Sequence, residues 1–253
     1  MTLTVAGEPL IAFLLASVRI AAWMAVVPPF SGRSVPPMAK AVLSLGLAFA
    51  VAPSGQQIPA TTIGLLINVF TQVLIGVSMG FICRLLFEAI AAAGSLIDVF
   101  GGFSLASGFD PMSMNNTTVF GKFHQMLATV LLFISGGYLI VIGGLLKTFE
   151  FLPLGTSPEW HTFEGVLLTA FDLFFTTAVQ IALPIIAVLF IADIGLALLT
   201  KVAPQLNAIN VMFPVKIGLT LLLVGLTFPV LPGAIDHLVE LSTQAMSTMS
   251  GAG

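Results

Sequence analysis

The chain has 253 residues, 58% of them hydrophobic and 8% charged, with a mean hydropathy of +1.12, values far from those of soluble globular domains. Eight basic and eleven acidic residues cannot supply the charged shell that a soluble core of this size needs, so lipid or partner subunits must cover much of the surface. The net charge of -3 and the lack of a basic run argue against nucleic acid as a partner.

Apolar stretches follow one another at about 9–27, 38–52, 61–87, 89–109, 123–146, 166–200 and 211–231, and a more polar tail begins at Pro232. Several reach the roughly 20 residues a helix needs to cross hydrocarbon. Backbone groups in lipid must be satisfied within each segment or by a closed barrel, and the ten-residue alternation of a barrel is absent. The expected fold class is therefore all-α, a polytopic hydrophobic helical membrane-complex subunit. In the first stretch no Lys or Arg precedes Arg19. The charged region of a cleavable signal peptide is thus missing, and residues 1–30 are expected to be retained.

Pro28-Pro29, Pro36-Pro37, residues 53–55, Gly101-Gly102, Asp110-Pro111, residues 153–158 and Pro232-Gly233 mark turns or helix ends. The linkers are short, which predicts one domain over 1–253. Pro184 lies inside 166–200 and predicts a kink or two half-helices there, as in a helical hairpin. Lys and Arg are too scattered for loop bias to set an orientation, which fits helices held mainly by partner subunits.

Charged residues lie in or beside the apolar stretches: Arg19, Arg84, Glu88, Asp98, Asp172, Asp193 and Lys216. Each costs at least a few kcal/mol at a bilayer centre, so each should pair, face water or sit outside lipid. Arg84 and Glu88, four residues apart, can pair on one helical face. Asp98, Asp172 and Asp193 admit two readings, a proton relay as in a secondary transporter or registry between subunits. Gly76 and Gly80 form a small-xxx-small face, and Gly136-Gly137 and Gly143-Gly144 favour close packing or local flexibility.

The stretch 101–118, GGFSLASGFDPMSMNNTT, turns from apolar to small, flexible and polar between two hydrophobic segments. Gly108 opens backbone angles closed to other residues, Asp110-Pro111 disfavours helix, and Met112 and Met114 are unbranched and adaptable. It reads either as an ordinary interhelical turn or as a deformable seal. Cys83 stands alone, which excludes an internal disulfide, and no Cys/His cluster has metal-ligand spacing. His124, His161 and His237 fall in no nucleophile, metal or phosphate motif, and no P-loop is present. We expect no enzyme, cofactor or metal. A transporter would need a polar cavity lined by helices broken at Pro184 or Pro214, and an enzyme would need His124 beside Asp98 or Asp110 in a cleft.

Residues 201–216, KVAPQLNAINVMFPVK, carry a basic Lys201, a PQ-x-N run of Pro204, Gln205 and Asn207, and FP-x-K at Phe213, Pro214 and Lys216. Upstream lie Arg19, then Pro28, Phe30, Ser31, Pro36 or Pro37 and Lys40, then Glu88, Ala93, Gly94 and Asp98 ahead of Asp110-Pro111. In order and spacing over nearly the whole chain this resembles the FliR/SctT family of type III protein-export gates, leaning to the flagellar branch over the injectisome. Lys201 stands where the family has an Arg, keeping the charge but losing bidentate geometry.

The resemblance implies a non-enzymatic subunit of the bacterial inner membrane and flagellar basal body, built from helical hairpins and lying largely above the membrane plane. It implies assembly with several FliP-like and FliQ-like subunits, and a FlhB-like subunit, around a channel for unfolded exported proteins. It places a pore plug at about 107–118, through Gly108, Phe109, Asp110, Pro111, Met112, Met114, Asn115 and Asn116. Arg19, Arg84, Glu88, Asp98, Lys201 and Lys216 are the expected interface or structural charges, and membrane lipid is the expected surroundings.

Overall fold

The computed structural model describes residues 7–32, 35–51, 61–103, 118–156, 158–203 and 208–251, and all their regular structure is helical. The elements are α1 Gly7–Val26, α2 Pro37–Val51, α3 Thr62–Gly101, α4 Val119–Ile134, α5 Gly137–Phe151, α6 Trp160–Val202, α7 Ala208–Val224, a 3-10 turn Gly225–Thr227 and α8 Leu231–Met249. α1, α3 and α6 are long and apolar enough to cross a membrane. The pairs α4 with α5 and α7 with α8 pass the same test when each is taken as one broken span. The all-α polytopic reading holds.

Three boundaries differ from the sequence expectation. The stretches 61–87 and 89–109 are joined in one 40-residue helix, α3, because Arg84 and Glu88 are charges on a helix surface and interrupt no backbone hydrogen bond. The stretch 123–146 divides at Gly136, whose φ of 73° belongs to the left-handed region that glycine enters without a Cβ penalty. In α6 the helix runs on through Pro184 for 43 residues, so that segment does not split into two half-helices. The polar tail from Pro232 is itself the helix α8.

The contacts divide the chain into two compact units. The first comprises residues 1–86, 136–171 and 238–253. In it α1 packs on α2, and α2 touches α5. Its core holds Ile20, Trp23, Met24, Ile75, Met79 and Leu145. The α1–α3 approach is set by glycine: a methyl group on Gly80 would lie 2.9 Å from the Trp23 carbonyl oxygen, and one on Gly76 would strike the Arg19 carbonyl. The small-xxx-small pair is thus the floor on which α1 lies. After α1, the Phe30 ring packs on Trp23 at 6.2 Å, and the Lys40 ammonium donates to the Gly32 carbonyl at 3.4 Å, which gives the early Pro-Phe-Ser-Pro-Lys pattern a local structural role.

The second unit comprises residues 87–135 and 172–237, with Ile90, Ile97, Phe120, Leu132, Ile185 and Leu189 among its buried side chains. Across both units large apolar side chains face outward, Phe49 at 83% and Ile191 at 68% exposure among them. Exposed apolar area of this extent marks a surface made for lipid or protein.

Candidate functional site

The second unit draws the family-like motif residues around the two ends of the 104–117 stretch. On the incoming side α3 stops in a Schellman motif. Gly102 has a φ of 84°, and the Phe103 amide donates back to the Asp98 carbonyl at 3.1 Å, the six-to-one bond of that motif. Behind this stop lies α7. A methyl on Gly102 would meet Lys216 Cδ at 3.7 Å and the Phe213 ring at 3.9 Å, and one on Gly101 would come within 2.7 Å of Thr220 Cγ2. The FP-x-K run therefore braces the end of α3.

On the outgoing side the first turn of α4 is held by α3. The buried Asp98 carboxylate accepts from the backbone amides of Phe120 at 2.8 Å and Gly121 at 3.1 Å through Oδ2. These are orphan donors of a helix N-terminus, where a negative charge also meets the positive end of the macrodipole. The Ser95 and Thr118 hydroxyls lie 2.8 Å apart. Gly94 lets α4 come this close, because any Cβ there would run into the Phe120 backbone. The Ala-Gly-x-x-x-Asp spacing puts the gap and the carboxylate one turn apart on the same face of α3. The Phe103 and Phe120 rings meet edge to face at 4.9 Å, so the described segments on either side of the stretch are in contact.

Two further groups complete this unit. His124, fully buried, donates from Nδ1 to the Phe120 carbonyl at 2.8 Å, and its Nε2 lies 3.2 Å from Thr227 Oγ. Both ring nitrogens are thus engaged within the packing of this unit. Lys216 donates to Asp193 Oδ2 at 2.8 Å, a half-buried ion pair joining α7 to α6. Asp193 is thereby bound to Lys216 rather than to another aspartate, and Asp172 is exposed on α6.

In the first unit Arg19 is fully buried. It donates from Nε to Gln72 Oε1 at 2.6 Å and from Nη1 to the Leu152 carbonyl at 3.0 Å, with its guanidinium 4.3 Å from the centre of the Phe149 ring. A buried arginine held by neutral acceptors and a π-face ties α1, α3 and the end of α5 together. No group of three or more metal-ligating side chains occurs among the described residues.

Residues 10–242 match the family described as Bacterial export proteins, family 1. The chain belongs to this family. Among relatives in it, the flagellar biosynthetic protein FliR of Escherichia coli K12 is 32% identical over 222 residues, 87% of this chain and 85% of that protein. FliR of Bacillus subtilis 168 is 26% identical over 94% of both chains. The surface presentation of antigens protein SpaR of Salmonella typhimurium is 30% identical over 76% of this chain and 72% of its own length. A bacterial export protein with several membrane-length helices, the chain is a component of an export apparatus.

Of the expected site residues in this export protein, Asp98, Phe213 and Lys216 converge on the ends of 104–117, and Pro214 lies within α7. Arg84 is exposed and Glu88 half-buried one turn further along α3, and Lys201 is exposed in the last turn of α6. Gly108, Phe109, Asp110, Pro111, Met112, Met114, Asn115 and Asn116 lie outside the described residues, as do Pro204, Gln205 and Asn207. Sequence reasoning passed over Gln72, Ser95, Thr220 and Thr227, and took Thr118 only as the end of the 107–118 stretch. The first four are polar residues set in largely apolar runs, which was the available signal, since a polar group buried there must find a partner.

Proposed function

We propose that this chain is the FliR-type subunit of the flagellar type III protein-export gate. In this reading it is non-enzymatic, sits in the bacterial inner membrane at the flagellar basal body, and assembles with FliP-like, FliQ-like and FlhB-like subunits around a channel for unfolded flagellar proteins. The observation that carries the reading is the family match over residues 10–242, joined to flagellar relatives covered over most of their length. The flagellar branch is preferred to the injectisome because the flagellar relatives are matched over more of both chains than SpaR is.

The single gate domain spans 1–253, and its plug is the stretch 107–118, with Phe109, Met112 and Met114 as sealing groups. The tied ends at Asp98–Phe120 and Phe103–Phe120 support this assignment, since a seal needs fixed anchors. Arg19 and Asp98 serve the chain's own packing, while the exposed Lys201 is directed to partners. The test is native mass spectrometry of the tagged chain extracted gently from its own membranes. One copy carrying several copies each of two small hydrophobic proteins is the expected result, whereas a solitary monomer or homodimer would overturn the reading in favour of a secondary transporter. Deleting the central loop residues should leave assembly intact and make the membrane leaky to ions; an unchanged leak would count against the plug.

A further inference from the structure

Between α5 and α8, within the first unit, lies a cavity of about 620 Å³, in the size range of small-molecule sites. Two facing helical stripes line it. Ile140, Gly143, Lys147 and Phe151 come from α5, and Glu240, Thr243, Gln244 and Ser247 come from α8 at the i, i+3, i+4, i+7 spacing of one face. The two walls differ in chemistry. Thr243 and Ser247 donate their hydroxyl hydrogens to the Glu240 and Gln244 carbonyls of their own helix, at 2.8 Å each. With their hydrogens so used, these hydroxyl oxygens can only accept further bonds, and they stand on the wall that carries the Glu240 carboxylate, with the Thr243 methyl turned to Gly144 of α5. The opposite wall presents the Lys147 ammonium. Neither Lys147 nor Glu240 has an ion-pair partner among the described residues. The α5 side of the rim is apolar and open, with Ile140 at 56% and Phe151 at 51% exposure.

An acceptor wall with a free carboxylate, a facing free cation and an apolar lip are together complementary to a zwitterion with a greasy tail. We propose that this cavity binds the head group of a zwitterionic phospholipid of the ethanolamine type, its phosphate on Lys147 and its primary ammonium on Glu240 and the α8 oxygens. The acyl chains leave over Ile140 and Phe151. A primary ammonium fits better than a quaternary one because it has hydrogens to give to that wall.

Gly143 supplies a clean test. A Cβ there meets nothing within 4 Å, so Gly143→Leu fills the cavity without a clash at its base, whereas Gly144 is packed against Thr243. The full chain, in whatever complex it forms, would be reconstituted in nanodiscs of mixed phosphatidylethanolamine, phosphatidylcholine and phosphatidylglycerol, and the lipids retained on release read by native mass spectrometry. The expected result is selective retention of phosphatidylethanolamine, lost in Gly143→Leu. In Lys147→Gln and in Glu240→Gln it should weaken by about tenfold, the scale of one charge-assisted bond. Helix content would be measured on every variant, and the two Gln variants, which change no packing, stand in should the Leu variant fail to fold. Equal retention of all three lipids, retention of phosphatidylglycerol alone, retention unchanged by both Gln substitutions, or a polypeptide bound in the cavity would each overturn the proposal.

Discussion

Replacing Asp98 by alanine isolates the bond that ties α4 to α3. The carboxylate accepts two amide hydrogens, from Phe120 and Gly121, and is almost wholly removed from water. Each hydrogen bond to a charged group is worth about 1.5–3 kcal/mol, and the truncation leaves two buried donors without a partner. The two bonds share one oxygen and are not additive, so about 3 kcal/mol is a fair magnitude for the local loss. Converted at 1.4 kcal/mol per decade, that is an increase of about a hundredfold in the opening equilibrium of the first turn of α4. Amide hydrogen exchange on the chain in detergent reads this directly, because peptides covering 118–124 report the two orphaned amides. Asp98→Asn keeps one acceptor oxygen but removes the charge at the helix N-terminus, a loss of about 1 kcal/mol and an intermediate acceleration. Exchange at 118–124 that is the same in Asp98→Ala as in the parent chain would refute the reasoning, for it would mean that α4 is held in place by apolar packing alone.

Gly80→Ala should lower the thermal midpoint of the detergent-solubilised chain by the equivalent of about 1–3 kcal/mol, since its methyl meets the Trp23 carbonyl at 2.9 Å. Gly46→Ala, with open space around it, should leave the midpoint unchanged or raise it slightly; equal effects would dissolve the argument from close approach. Arg19→Lys should cost about 1–3 kcal/mol, because an ammonium cannot reach Gln72 and Leu152 with the same fork or lie flat on Phe149, and a midpoint within a degree of the parent would contradict it. Lys216→Glu sets a second carboxylate against Asp193 and should impair complex assembly, with recovery when combined with Asp193→Lys; normal assembly and export in the single variant would mean that the α6–α7 ion pair does not support assembly.

Composition was enough for the all-α membrane class, because nothing except helices or a barrel satisfies backbone groups in so apolar a chain. Boundaries were less legible. Glu88 looked like a divider in the sequence yet lies on a continuous helix, while Gly136, read only as a site of close packing or flexibility, is the left-handed residue at which the apolar stretch 123–146 breaks into two helices. A charge changes the solvent a helix needs; a left-handed glycine changes its direction. Asp98 was recognised as a costly group, but its partners are backbone amides 22 and 23 residues further on. A sequence pattern shows side chains and does not display which helix N-terminus will arrive opposite them. Arg19 was opaque for the same reason, since its acceptors are 53 and 133 residues away.

The length of α3 carries the argument for partners one step further. At 1.5 Å per residue its 40 residues measure about 60 Å, against roughly 30 Å of hydrocarbon. Even at a tilt of about 40°, the upper end of what transmembrane helices adopt, such a length projects to about 46 Å. Apolar exposure persists from one end of the helix to the other, with Ile63 at 73% and Val99 at 56%. One bilayer cannot cover all of that surface, and water would leave it costly by about 25 cal/mol for each Å². Other protein must cover the excess. A family of export-apparatus components supplies such protein, and the same demand explains why the charges this chain buries hold its helices to one another while its outer faces stay apolar.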